Sequence, residues 1–108
     1  MSRSERLDLE IGEMKLRLCA EQQYRCACGC GWYVVADQCD LAHRIPQSKP
    51  NIKKYGEVVI HNRLNMGAVV AGSLSCNKKI ELGKAHIAEQ RELLERIYAD
   101  MEDENEVD

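Results

Sequence analysis

Between residues 4 and 23 the apolar positions Leu7, Ile11, Met14 and Leu18 recur at helical spacing, with Glu, Arg and Lys between them. That period predicts an amphipathic helix with one face for a core. Ser2 and Glu5 stand at capping-box spacing ahead of it, and Gly12 is a mild interruption. A second helix is predicted over residues 84–102, where Ile87, Leu94, Ile97 and Met101 lie along one side. Both read as core-packing elements. The pattern changes between them. Residues 32–35, 39–45, 57–60 and 64–70 read as strand-like or extended. Residues 46–56, PQSKPNIKKYG, hold two prolines and no apolar period, which predicts a loop. Residues 75–82 predict a short helix, started at Ser73 or Ser75 and ended at Gly83.

A length of 108 residues sets one small domain: an N-terminal helix at 1–23, a core at 24–84, and a C-terminal helix with an acidic tail at 85–108. No apolar run approaches the ~18 residues of a membrane span. The N-terminus is charged throughout, unlike a secretory signal. A cytoplasmic location and no membrane partner are therefore expected. Six cysteines (19, 26, 28, 30, 39 and 76) in a reducing compartment point to metal binding or redox chemistry rather than disulfides. A structural zinc would also staple a domain this small.

The net charge of -3 averages over unlike segments. Residues 100–108 carry six acids and no base, and are expected to fray. Residues 43–84 carry eight cations (Arg44, Lys49, Lys53, Lys54, Arg63, Lys78, Lys79 and Lys84) against Glu57 and Glu81, a net +6. The local field over that stretch favours a polyanion.

The order of elements adds chemistry. A strand-like segment ends in AHRIPQSK at 42–49, HNRLNM follows at 61–66, and SCNKK at 75–79 opens a short basic helix. This arrangement over residues 24–84 resembles the HNH endonuclease family, the ββα-metal nucleases of small phage and prophage proteins. The resemblance implies an α+β fold with a ββα-metal core and a Cys-rich knuckle, flanked by amphipathic helices. It implies a metal-dependent endonuclease or nickase that hydrolyses phosphodiester bonds. His43 would be the general base, Asn65 the organiser, and Asn77 the third position, with Asn in place of His.

The chemistry supports those roles. A histidine near neutral pKa can deprotonate water. A divalent ion can hold the phosphate and the leaving oxygen. The Asn77 side chain offers a neutral oxygen suited to Mg²⁺ or Mn²⁺. Where HNH nucleases place an Asp or His just before the base, this chain has Ala42. Asp40, on the same strand face, and His61 are the replacement ligands the sequence offers. The DNA, expected to be double-stranded, would meet Arg44, Lys49, Lys53, Lys54, Arg63, Lys78 and Lys79. A homodimer or a larger nuclease or packaging assembly fits the same format.

Structural zinc sites take paired ligands with two to four residues between them. Cys26 and Cys30 have three between them and Gly31 after, as in knuckle turns. Cys28, one residue from each neighbour, makes a tighter bite. Pairing Cys28 with Cys26 or with Cys30 stays open as the less comfortable choice. The HNH resemblance implies a second pair near the helix start, where this chain has Cys76 alone, and with Cys39 the expected set for a structural Zn²⁺ is Cys26, Cys30, Cys39 and Cys76. Buried metal-free thiols remain the alternative. Cys19 reads as a small core residue. The competing function is a non-catalytic zinc-ribbon module that binds nucleic acid through the basic stretch, a reading that Ala42 favours.

Overall fold

The computed structural model describes residues 2–106, and for Arg3 and residues 104–106 the backbone alone. Its elements in chain order are α1 (Arg3–Glu21), β1 (Cys39–His43), α2 (Lys49–Tyr55), α3 (Glu57–Ile60), β2 (Met66–Val70), α4 (Leu74–Ile80) and α5 (Ile87–Glu106), with short 3-10 turns before β1, β2 and α5. The result is an α+β fold with flanking helices, in which β1 and β2 pair as a hairpin. Two units divide the chain, each built from two separated segments: Met1–Ala42 with Gly67–Ile80, and His43–Met66 with Glu81–Asp108.

In the first unit, α1 starts as its sequence directs, with the Ser2 hydroxyl accepting the Glu5 N–H. Its apolar stripe is only partly used. Leu18 and Cys19 are buried, but Leu7 and Ile11 are exposed, so the helix packs through its C-terminal turns alone. The helix ends with the Tyr24 N–H bonded to the Cys19 carbonyl, and with Gln23 and Tyr24 both at positive φ. This left-handed exit turns the chain towards β2. There the Gln22 side chain acts as a piece of strand. Its amide donates to the Ala68 carbonyl at 2.9 Å, and its oxygen accepts the Ala68 N–H at 2.8 Å. The buried residues Gly67 and Ala68 are small enough to permit that approach.

The second unit holds a hydrophobic cluster of Ile45, Val59, Ile60, Leu93 and Ile97, with Ile52, Tyr55, Leu64, Leu94 and Met101 packed against it. Two expectations fail here. The prolines of residues 46–56 do not make a loop. Ser48 caps α2 by accepting the Asn51 N–H, and Pro50 sits in the first turn, where its missing N–H costs nothing. Residues 57–60 are not a strand either. They form α3, entered through Gly56 at φ 90°, which delivers Val59 and Ile60 to the cluster. The helix predicted over 84–102 begins as a 3-10 turn and continues as α5 to Glu106. The acidic tail is therefore helical over its described part, and residues 107–108 lie outside the described residues. None of the helices among the described residues is long and apolar enough to cross a membrane.

Candidate metal centre

In the first unit, residues 24–26 and 32–34 form a miniature hairpin. Cys26 N–H bonds the Trp32 carbonyl at 2.9 Å, Val34 N–H bonds the Tyr24 carbonyl at 2.9 Å, and Arg25 bridges Tyr33. The turn it carries is anchored to β2, because Ala27 N–H bonds the Ala68 carbonyl. Within the turn, Gly29 and Gly31 take φ values of 82° and 90°. Side chains with a Cβ disfavour that region, so these two glycines let three cysteines follow one tight curve. The fourth cysteine arrives on α4, whose first turn is tied by the Ser73 hydroxyl accepting the Cys76 N–H.

The sulfurs of Cys26, Cys28, Cys30 and Cys76 all lie within 4.8 Å of one another. Cys26 and Cys28 are 3.3 Å apart, and Cys30 and Cys76 are 3.8 Å apart. A tetrahedral zinc with ~2.3 Å bonds has sulfur–sulfur edges of ~3.8 Å, so the four thiols fit that ion with only small adjustments. Cys26 and Cys76 are buried while Cys28 and Cys30 are partly exposed, which leaves a route for metal entry. The Ser73 hydroxyl, and next the Cys28 thiol, hold the Cys76 thiol down at about 7. Burial, and then the Cys26 thiol, pushes Cys28 up to about 12. Cys76 is thus ready as thiolate before Cys28, and metal binding must expel the proton that Cys28 retains.

The expected set Cys26, Cys30, Cys39 and Cys76 is corrected at one member. Cys28 occupies the fourth corner. Cys39 is buried elsewhere in the unit, its sulfur 3.9 Å from that of Cys19, and burial followed by Cys19 raises it to about 11. The sequence signal for Cys28 was the Cys-Gly-Cys-Gly run of residues 28–31, in which each glycine takes the left-handed turn.

The nuclease expectation is overturned. The all-cysteine cluster is the only group of three or more His, Cys, Asp or Glu able to hold a metal among the described residues. A closed site of four cysteines keeps no position open for water or substrate, which is the mark of a structural zinc centre rather than a hydrolytic one. Among the described residues no second group of this kind stands ready for the expected Mg²⁺ or Mn²⁺ ion. The residues assigned to catalysis have other partners. His43 Nε2 lies 3.2 Å from His61 Nδ1, so the expected base and an expected replacement ligand hydrogen-bond each other. Burial, and next the charge of His61, lowers the pKa of His43. The Asp40 carboxylate accepts the Gly72 N–H at 2.8 Å in the turn after β2. Asn65 is fully buried and its amide is bonded to backbone at both ends. Asn77 lies on α4, in the first unit, whereas His43, His61 and Asn65 belong to the second.

The cations also differ in availability. Lys78 and Lys79 are exposed on α4, and Lys49, Lys53 and Lys54 on α2. Arg63 is bonded to Asp100 at 3.1 Å, and Arg44 is half-buried. No family model, no curated protein and no solved structure matches this chain.

Proposed function

We propose that this chain is a non-catalytic, zinc-stabilised module that binds nucleic acid. The observation that carries the reading is the closed four-thiol cluster, whose fourth ligand, Cys76, sits on the same short helix as Lys78 and Lys79. Cys26, Cys28, Cys30 and Cys76 would hold Zn²⁺, which supplies cross-linking and no chemistry on substrate. The +6 charge of residues 43–84 and the exposed lysines of α2 and α4 support a phosphate-rich partner. The order β1, β2, α4 with His43, Asn65 and Asn77 supports an HNH-like scaffold kept as a frame for binding. The all-thiol site favours a reducing, cytoplasmic setting.

Metal content and anisotropy titrations with labelled oligonucleotides test the proposal. The expected result is one zinc per chain, and binding that weakens steeply from ~50 to ~200 mM salt and on Lys78→Glu with Lys79→Glu. Zinc-loaded protein that binds neither single-stranded nor duplex DNA at low salt would overturn it.

A further inference from the structure

Beside the metal cluster, in the same unit, lies an open cavity of about 340 Å³. The metal ligands Cys30 and Cys76 form part of its lining, while Trp32 and Val70 give it apolar walls, Ser73 and Ser75 give it hydroxyls, and Lys79 gives it a cation. Trp32 is 71% exposed, the largest side chain of the protein and among its least covered. The indole N–H has no hydrogen-bond partner among the described residues. The neighbouring Tyr33 differs, because the Arg25 guanidinium lies 4.1 Å over its ring. The backbone of Trp32 is fixed by its bond to Cys26, so the indole is displayed from a rigid turn.

We infer that this cavity takes one unpaired base of a single-stranded nucleic acid, stacked on Trp32, with the adjoining phosphate at Lys79. The inference rests on the nucleic-acid reading and narrows it. A flat apolar face, hydroxyls for a base edge and a cation for a phosphate match the parts of a nucleotide. The volume lies at the small end of ligand sites, which suits one base rather than several. In the interior of a duplex both faces of a base are covered by its neighbours, so apart from a helix end only an unpaired base can lie on the indole. Lys78, exposed beside Lys79, adds a second cation for the strand.

Trp32 is the only tryptophan in the chain, so intrinsic fluorescence reads this site alone. Zinc-loaded protein of residues 1–108 is titrated at low salt with a 12-mer of thymidylate and with a long duplex, whose end faces are few against its interior. Tryptophan emission is followed together with the anisotropy of labelled copies of both. Saturable quenching by the thymidylate strand, tracking its anisotropy and absent with the duplex, is the expected result. Trp32→Ala should weaken the single strand ~10-fold or more, as loss of one stacked base does, and leave the duplex unchanged. Trp32→Phe should restore most of the affinity at unchanged zinc content, which separates stacking from misfolding. Anisotropy that rises without quenching, or that is the same in Trp32→Ala, would overturn the inference and leave the nucleic-acid reading standing. No rise with either probe would remove both.

Discussion

Asn65 is completely buried, and its amide is fully used. Its oxygen accepts the Ile45 N–H at 2.8 Å, and its nitrogen donates to the carbonyls of Ile45 and Ile60 at 3.1 and 2.8 Å. One side chain thus joins the segment after β1 to the end of α3. Asn65→Ala strands three backbone groups, each costing about 1–3 kcal/mol when buried without a partner. A loss of about 3 kcal/mol or more is expected in urea unfolding, and a loss below about 1 kcal/mol would show that the cluster holds without the amide. His43 gives a second prediction at this scale. Its folded pKa lies below the ordinary 6.5 because of burial and His61. The unfolded chain therefore binds the proton more readily. Stability from this group is complete above pH 6.5 and is lost as pH falls through the lowered folded value. Thermal melts of zinc-loaded protein should show a smaller fall below pH 6.5 in His43→Gln than in the parent. Parallel profiles for the two proteins would mean that His43 does not carry the effect.

At the scale of elements, the knuckle depends on backbone conformation as much as on its thiols. Cys28 shares the curve made by Gly29 and Gly31, whereas Cys39 faces Cys19. Cys28→Ser removes a direct ligand, and should cost more zinc affinity than the ~10–100-fold that outer partners of a metal site contribute. Cys39→Ser should leave affinity within a few-fold of the parent. Competition with a chromophoric chelator measures both, and the reverse ranking would put Cys39 in the site. The same elements show what the sequence makes legible. α1, α4 and α5 are readable because their caps and apolar periods are local. α2 is not, because Pro50 serves as a first-turn residue behind the Ser48 cap, while the composition around it suggests a loop. α3 is a β-branched run made helical by the cluster that buries Val59 and Ile60, a tertiary effect that propensity does not contain. Of the four metal ligands, Cys26 and Cys30 follow from their spacing, Cys76 follows from its place at the start of the short helix, and Cys28 needs the left-handed glycines. The pairing of Cys39 with Cys19 joins residues 20 positions apart and leaves no pattern in the sequence.

Across the whole molecule, the two units are held by different means. The second has a cluster of branched aliphatics, Ile45, Val59, Ile60, Leu93 and Ile97, reinforced by Asn65 and by Asp100, which binds both Asn62 and Arg63. The buried residues of the first are mostly small: Cys19, Cys26, Val34, Cys39, Ala42, Ala68, Val69 and Cys76, beside Leu18 and Ile80. Burial scales with apolar area, so that set supplies far less stabilisation per residue than the aliphatic cluster does. A metal joining the knuckle to α4 ties Cys26, Cys28 and Cys30 to a residue 46 positions beyond Cys30, and binding energy that exists only in the folded state becomes folding energy. Removing zinc with a strong chelator should therefore act unevenly. Amide hydrogen exchange should accelerate across the knuckle, β2 and α4, while protection in α3 and in α5 around Leu93 and Ile97 persists. Readdition of zinc should restore the slow amides. Uniform loss across both units would mean that the aliphatic cluster depends on the metal too. Unchanged exchange near Cys26 and Cys76 would mean that the small buried residues suffice without it.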